Sequence, residues 1–305
     1  MSIASVSLAR SLEELSLELG RSFEEYGFAV VRDHGIDPDL IERGWAATRA
    51  FFALPEEVKR RYHQAGLGGA RGYTPFGMEQ AKDAPVRDLK EFWHVGRDLP
   101  PGHAYERFMP PNIWPAEVAG FRETMLELFA AFDRTGARLL SAIAIHLGLE
   151  PAFFDDTIRD GNSVMRLLHY PPVGKAEEGE VRAAAHEDIN TITLLLGAEE
   201  AGLELLSRSG EWLPVSPPEG ALAVNIGDML QRQTNGLLRS TTHRVVNPVG
   251  EAARRARYSM PFFLHFRPDY LIEPMEDCLR ESSEAMEPIL AEDYLQQRLR
   301  EIKLA

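Results

Sequence analysis

Residues 184–194 read Ala-Ala-His186-Glu187-Asp188-Ile-Asn-Thr-Ile-Thr-Leu, and a second histidine, His243, lies well downstream. Alternate side chains of a β-strand share one face, so a strand here would place His186 and Asp188 together and Glu187 on the other side. Two imidazoles and one carboxylate leave octahedral positions of a metal ion open. Such a set is typical of non-haem Fe(II) oxygenases, whereas a structural zinc site usually has four ligands rich in thiolate. The sequence therefore predicts an Fe(II) centre at His186, Asp188 and His243.

A second polar pair follows His243, in the strand-like run Arg257-Tyr-Ser259-Met-Pro-Phe-Phe263. Period two places Arg257 and Ser259 on one face of that strand. A planar guanidinium fork beside a hydroxyl suits the binding of one carboxylate group. We therefore expect Arg257 and Ser259 to bind a carboxylate of a dicarboxylate cosubstrate.

Further motifs extend over nearly the whole chain. They are Tyr26-Gly27-Phe28, His34-Gly35-Ile36, Arg71-Gly72-Tyr73, Asp88-Leu89-Lys90-Glu91-Phe92, Leu168-His169-Tyr170-Pro171, Asn225-Ile226-Gly227-Asp228 and Ser240-Thr241-Thr242-His243-Arg244-Val245. Together with His-x-Asp, a distal His and Arg-x-Ser in the same order, they identify a family resemblance. The sequence resembles the 2-oxoglutarate and iron(II)-dependent dioxygenases of the isopenicillin N synthase-like branch.

The resemblance implies that Fe(II) is bound by the two histidines and the aspartate, with 2-oxoglutarate as cosubstrate and O2 as oxidant. It also implies that Arg257 and Ser259 hold the C5 carboxylate of 2-oxoglutarate, with Tyr170 as a further contact. The expected reaction oxidises, in most cases hydroxylates, a small molecule and releases succinate and CO2. No catalytic side chain beyond the metal site is expected, because the metal and the cosubstrate carry the chemistry.

Two more residues are candidates for binding the primary substrate. Period two places Arg166 on the same face as Tyr170, and Phe263 on the same face as Arg257. We therefore expect Arg166 and Phe263 to line the substrate cavity. The alternative is that both simply pack inside a barrel.

The remaining polar residues of interest have simpler interpretations. Asp228 follows Asn225-Ile226-Gly227, where it is expected to fix a turn or to support a metal ligand through a hydrogen bond. The other histidines are predicted to be ordinary hydrogen-bonding residues of the core or surface: His34, His63, His94, His103, His146, His169 and His265.

The first half of the chain predicts helices and loops. Ser11 and Glu14 form a capping box that would open a helix through about Glu25, and Asp37 caps a second helix that reaches Phe52. A long helix is expected from about Pro115 to Leu147. Gly and Pro residues between 64 and 111 predict loops at the mouth of the active site.

The second half predicts short strands joined by turns, at 164–170, 189–196, 203–206, 212–215, 221–226, 243–246 and 257–266. Many short strands predict a sandwich or barrel. The fold class is α+β, and the resemblance implies a double-stranded β-helix (jelly-roll) core with flanking helices. The expected organisation is a mixed N-terminal region at 1–115, a supporting helix within 116–160 and the catalytic core at 161–305, all as parts of one compact unit.

Composition excludes several function classes. The 305 residues are 44% hydrophobic, enough for a substantial core. The formal net charge of -14 argues against nucleic acid, because phosphate binding needs a basic face. No apolar run approaches the ~20 residues that span a membrane, and residues 1–10 do not resemble a secretion signal. With Cys278 as the one cysteine, no intrachain disulfide can form, so a cytoplasmic setting is expected. The resemblance implies a small-molecule substrate.

Two alternatives to this function stay open at the level of sequence. One is a relative that uses the same iron site without 2-oxoglutarate and binds a substrate carboxylate through Arg-x-Ser. The other is a binding protein that kept the fold and lost turnover. The sequence does not identify the primary substrate or the oligomeric state.

Overall fold

The computed structural model describes residues 3–66, 70–78, 88–172, 181–197, 202–279 and 285–301. Its helices are α1 Leu12–Tyr26, α2 Pro38–Phe52, α3 Glu56–Lys59, α4 Phe121–His146, α5 Asp155–Ile158, α6 Asp228–Gln233 and α7 Ala291–Glu301. Its strands are β1 Ser5–Ser7, β2 Phe28–Arg32, β3 Gly72–Thr74, β4 Glu91–Gly96, β5 Val164–Tyr170, β6 Ala183–His186, β7 Ile192–Leu196, β8 Leu203–Leu206, β9 Trp212–Pro214, β10 Leu222–Ile226, β11 His243–Val245, β12 Arg257–Leu264, β13 Leu271–Ile272 and β14 Ile289–Leu290.

Two sheets form the core. The larger has the strand order β1-β2-β10-β7-β12-β5-β4-β3, and the smaller has the order β6-β11-β8-β9. Phe28 and Ala223 of the larger sheet share a hydrophobic cluster with Ala183, Leu205 and Val245 of the smaller one, so the inner faces pack against each other. The fold is α+β with a jelly-roll core, as the sequence predicted.

The two faces of the larger sheet have different environments because side chains alternate along each strand. On β12, Met260, Phe262 and Leu264 belong to the main hydrophobic core. Phe262 stacks on Phe132 of α4, with the ring centroids 5.5 Å apart. Arg257 and the other residues of the same parity therefore point to the inner face, where the candidate site lies.

The start of the chain folds as its sequence predicted. The capping box of α1 is present, with Ser11 Oγ accepting from the backbone N–H of Glu14 and the Glu14 carboxylate accepting from that of Ser11. Gly27 ends α1 with φ 66°, and a Cβ there would lie 2.3 Å from Thr241 Oγ1. A glycine is needed at this position because the segment leading into His243 packs directly against its backbone.

The prediction of loops throughout residues 64–111 was wrong where β3 and β4 form. β4 pairs with β5 over its whole length, and β3 pairs with β4. This strand was not predicted because it begins with Glu91, and a carboxylate is unusual on a buried face. In the structure it is compensated, since it accepts hydrogen bonds from Lys59 Nζ at 2.7 Å and from the hydroxyl of Tyr73. Residues 67–69 and 79–87 of this predicted loop region lie outside the described residues.

The prediction that His186 and Asp188 lie on the same strand was also wrong. β6 ends at His186 and β7 begins only at Ile192, so Asp188 lies in the turn between them. Backbone hydrogen bonds from residues 227 and 228 stabilise this turn. Gly227 N–H donates to Thr191 O at 2.8 Å, and Asp228 N–H donates to Asp188 O at 2.7 Å. The long helix α4 likewise begins at Phe121 rather than near Pro115.

One hydrophobic cluster contains residues of α1, α2 and α4 together with residues of β7, β10 and β12. The helices thus cover the outer face of the larger sheet. The division into 1–115, 116–160 and 161–305 as parts of one compact unit stays a prediction. Within the described ranges, every helix is too short or too polar to cross a membrane.

Candidate active site

The three residues predicted to bind metal come together at one end of the smaller sheet. His186 ends β6 and His243 begins β11, and the two are paired across these antiparallel strands. One ligand atom from each of His186, Asp188 and His243 lies within 4.8 Å of the others. The His186 Nε2 to Asp188 Oδ1 distance is 3.9 Å, and the His243 Nε2 to Asp188 Oδ2 distance is 3.8 Å.

Backbone carbonyl groups fix the orientation of both imidazole rings. His186 Nδ1 lies 2.7 Å from Ala184 O, and His243 Nδ1 lies 3.1 Å from Thr241 O. A carbonyl oxygen can only accept, so Nδ1 donates in both rings and Nε2 is the nitrogen that faces the Asp188 carboxylate. This arrangement of a ring N–H on a backbone carbonyl is the usual support for a metal-binding histidine.

The Asp188 carboxylate is held from the large sheet. Thr193 Oγ1 of β7 donates to Asp188 Oδ2 at 2.5 Å, and Asn225 Nδ2 of β10 donates to the same oxygen at 2.8 Å. Sequence reasoning had not identified Thr193. Asp228 behaves as expected, because its backbone supports the turn while its carboxylate accepts from the Tyr294 hydroxyl at 3.2 Å.

The electrostatics of the cluster favour a cation. Burial raises the pKa of Asp188, but the neighbouring His243 and His186 and the two hydrogen bonds outweigh burial and leave that pKa below its usual value. Burial, with a smaller contribution from His243, lowers the pKa of His186 to about 4. At neutral pH the cluster is therefore one carboxylate with a neutral His186, which is the protonation state that a metal ion requires.

The pair Arg257 and Ser259 lies further along the inner face, and the structure places Tyr170 beside it. Both side chains are buried, and Arg257 Nη1 donates to Ser259 Oγ at 3.3 Å. Tyr170 is the cross-strand partner of Arg257, with its ring 5.0 Å from the guanidinium carbon. Arg182, which sequence reasoning missed, approaches the same ring at 5.8 Å and is fully buried.

The two predicted substrate residues also meet. The guanidinium carbon of Arg166 lies 4.2 Å from the ring centre of Phe92 and 5.4 Å from that of Phe263. Arg166 Nε donates to His94 Nε2 at 2.6 Å. Phe92 and His94 had not been placed here, because the strand that carries them was not predicted.

A further ion pair supports the metal cluster. Lys90 Nζ and Asp88 Oδ2 are 2.7 Å apart, and both residues are buried. The other oxygen of Asp88 accepts from the backbone N–H of Ala184 at 3.1 Å. Because Ala184 precedes His186 on β6, this pair helps to fix the strand that carries the first histidine.

The other histidines lie outside the metal cluster and make ordinary hydrogen bonds, as predicted. Their partners are Gly220 O for His34, Tyr73 O for His63, Arg166 for His94, Tyr105 N–H for His103, Glu24 for His146, Glu91 for His169 and Phe263 O for His265.

Comparison with known proteins agrees with this geometry. Residues 161–266 match the model of the 2OG-Fe(II) oxygenase superfamily, and residues 2–117 match that of the N-terminal region of non-haem dioxygenases in morphine synthesis. The 2-oxoglutarate-Fe(II) type oxidoreductase hxnY of Emericella nidulans is 34% identical over 293 residues, which cover 92% of this chain and 83% of that protein.

The chain belongs to the 2-oxoglutarate and iron(II)-dependent oxygenases of the isopenicillin N synthase-like type.

Solved structures of this oxygenase family superpose closely. A 2OG-Fe(II) oxygenase family protein from Caulobacter crescentus has a TM-score of 0.92 and 53% identity, with 99% of each chain covered. A full-length Neurospora crassa protein, solved in complex with alpha-KG and thymine, has a TM-score of 0.87 and 30% identity, with 98% of this chain and 96% of that chain covered. The protein is thus a dioxygenase that uses Fe(II), 2-oxoglutarate and O2.

The residues present fit that cofactor set. An open set of two imidazoles and one carboxylate is the donor combination of non-haem Fe(II) oxygenases. A buried guanidinium with a hydroxyl within hydrogen-bonding distance fits one end of a dicarboxylate. Tyr170, Arg257 and Ser259 lie together on two paired strands, so a single ligand can reach all three.

Proposed function

We propose that this oxygenase hydroxylates a small molecule, with Fe(II) bound by His186, Asp188 and His243 and with release of succinate and CO2. The observation that carries the assignment is the shared orientation of the rings: both Nδ1 atoms face backbone carbonyls, and both Nε2 atoms lie within 4 Å of the Asp188 carboxylate. When bound, the iron supplies the site at which O2 is reduced at the expense of 2-oxoglutarate.

The protein's own residues position the reactants. We propose that Arg257 and Ser259 bind the C5 carboxylate of 2-oxoglutarate and that Tyr170 flanks it. Their burial excludes water from the ion pair, which strengthens a charge-assisted hydrogen bond. Arg166 and Phe263 are proposed to contact the primary substrate. Thymine is bound in the related Neurospora crassa structure, and a small planar molecule is a matching expectation here.

Coupled turnover tests the proposal. Purified protein with Fe(II), 2-oxoglutarate and O2 should release succinate slowly, and the primary substrate should accelerate release with one product formed per succinate. A panel of small molecules can be screened by succinate release alone. Stoichiometric product without succinate would instead support a direct oxidase, that is, an enzyme that uses the same iron site without 2-oxoglutarate. Iron binding with neither product nor O2 consumption would support a binding protein that has lost turnover.

A further inference from the structure

The short helix α6 holds both chain segments that carry metal-binding residues. At its first residue, Asp228 N–H donates to Asp188 O at 2.7 Å. One turn later, the Gln231 side-chain oxygen accepts from the backbone N–H of Ser240 at 2.9 Å. Ser240 lies three residues before His243 in the chain. A displacement of α6 would therefore disturb both segments.

The helix α7, near the end of the chain, contacts α6 through one carboxylate. The hydroxyl of Tyr294 donates to Asp228 Oδ2 at 3.2 Å, and Arg298 Nε lies 3.3 Å from the same oxygen. Tyr294 and Arg298 are four residues apart, so they share one face of α7. The guanidinium carbon of Arg232, also in α6, lies 5.1 Å from the centre of the Tyr294 ring. Asp228 thus joins α7, through its side chain, to the turn of Asp188, through its backbone.

The charge of Arg298 also acts near the second ligand segment. Burial lowers the pKa of Arg298, but Asp228 and other negative neighbours, Glu187 among them, outweigh burial and raise that pKa above its usual value. Glu187 is the middle residue of the His-x-Asp motif, and its carboxylate accepts from Thr242 Oγ1 at 2.5 Å. Thr242 immediately precedes His243. One cation of α7 therefore interacts with two carboxylates that contact the ligand-bearing segments.

The contact between α7 and Asp228 is shielded from water. Asp228 is 5% exposed and Tyr294 is 8% exposed. A buried carboxylate that loses one partner cannot fully replace it with water, so it is left under-compensated. Such a carboxylate would shift towards water, and its backbone N–H would move away from Asp188 O. Loss of a contact on α7 would in this way reach the metal cluster.

We propose that Tyr294 and Arg298 are positioning residues of the iron centre, which act through Asp228 on the turn that carries Asp188. Breaking either contact weakens the binding of Fe(II). This inference rests on the proposed function, since it concerns the metal site of the same enzyme.

The test measures the Kd of Fe(II) by anaerobic competition with a chelator of known affinity. Tyr294→Phe removes the hydroxyl and keeps the ring, and Arg298→Gln removes the charge. Both residues lie one contact further from the metal than Asn225, so each Kd should rise by about three- to tenfold, less than the loss typical of a direct ligand support. A Kd within twofold of wild type in both variants would overturn the inference.

A conservative variant tests the ion pair itself. Arg298→Lys keeps the positive charge, so it should bind Fe(II) more tightly than Arg298→Gln. If the lysine and glutamine variants lost iron affinity equally, the charge of Arg298 would not be the means by which it acts.

Two matched controls separate positioning from a general loss of stability. Tyr62→Phe removes a hydroxyl that donates to Glu117 at 2.6 Å, and Arg43→Gln breaks an exposed ion pair with Glu127. Neither contact involves α6 or α7, so both controls should keep a Kd within twofold of wild type. The Tm of each variant is measured alongside. If iron affinity followed Tm in the same way in the controls and in the α7 variants, stability alone would explain the losses and the inference would be refuted.

A double-mutant cycle tests the route through Asp228. If Arg298 acts through this carboxylate, Asp228→Asn combined with Arg298→Gln should lose no more iron affinity than Asp228→Asn alone. Additive losses would show that Arg298 acts by another route, contrary to the proposal.

The wild-type measurement keeps two failures apart. If the wild-type protein does not bind Fe(II), the proposed function fails. If it binds Fe(II) and the α7 variants bind equally well, only the positioning role of α7 fails.

Discussion

The metal end of this cavity and its proposed substrate end, around Arg166 and Phe263, are built differently. At the metal end, each imidazole is fixed by a backbone carbonyl and Asp188 is fixed by Thr193 and Asn225. At the proposed substrate end, the Arg166 guanidinium packs against the rings of Phe92 and Phe263, and its Nε donates to His94. The metal cluster thus depends on hydrogen bonds to backbone carbonyls and polar side chains, whereas the proposed substrate end depends on contacts between a guanidinium and aromatic rings.

Substitution at the metal end should be the most damaging. Asp188→Ala removes the one anionic residue of the cluster and leaves two imidazoles for a dication, so iron affinity should fall by more than about 100-fold and turnover should be lost. Metal content after dialysis and succinate release measure the two effects. Asp155→Ala, at an exposed position, is the control. Wild-type turnover and iron content in Asp188→Ala would contradict the assignment.

Loss of the support of Asp188 should be the next most damaging change. Asn225→Ala removes the 2.8 Å hydrogen bond to Asp188 Oδ2, and loss of such an outer contact lowers metal affinity by roughly 10- to 100-fold. Competition with a chelator of known affinity measures the change. If iron affinity stayed within twofold of wild type, the hydrogen bond from Asn225 to Asp188 would not contribute to metal binding. The hydrogen-bond network would then not distinguish the metal end from the proposed substrate end.

Part of this network was predictable and part was not. The capping box of α1 and the bounds of β5 and β8 follow from local sequence, because caps and strand alternation depend on neighbouring residues. The His-x-Asp pair was also recognised, although strand alternation was the wrong reason. Asp188 reaches the cluster because β6 stops and a turn begins, held by backbone contacts from residues 227 and 228.

What sequence reasoning missed depends on distant contacts. The strand containing His94 was missed because Glu91 looks incompatible with burial until Lys59 and Tyr73, far away in sequence, are brought to it. Without that strand, the contact between Arg166 and His94 had no basis. Local patterns therefore identified the metal end better than the substrate end.

At the proposed cosubstrate contacts, a more moderate loss is expected. Arg257→Lys keeps the charge and loses the planar fork, so affinity for 2-oxoglutarate should fall by about tenfold, or about 1.4 kcal/mol. Anaerobic calorimetry measures this change, and the metal content should match that of wild type. Unchanged affinity for 2-oxoglutarate would show that Arg257 does not bind this cosubstrate, and would favour an enzyme that oxidises its substrate without 2-oxoglutarate.

The neighbouring hydroxyl should matter least. Ser259→Ala removes one neutral hydrogen-bonding group, worth roughly 0.5 to 1.5 kcal/mol, so the Kd of 2-oxoglutarate should rise by a factor of about 2 to 12. The same calorimetric titration measures it. If Ser259→Ala weakened 2-oxoglutarate binding more than Arg257→Lys does, the hydroxyl would matter more than the guanidinium, contrary to the order expected from their charges.

Use of 2-oxoglutarate at the iron centre is decided by an anaerobic titration of the wild-type Fe(II) protein with 2-oxoglutarate, followed by visible absorption. We expect a weak visible band that saturates at one 2-oxoglutarate per iron, and slow succinate release once O2 is admitted. Bound iron that gives neither the band nor succinate at saturating 2-oxoglutarate would show that 2-oxoglutarate is not the cosubstrate of this site.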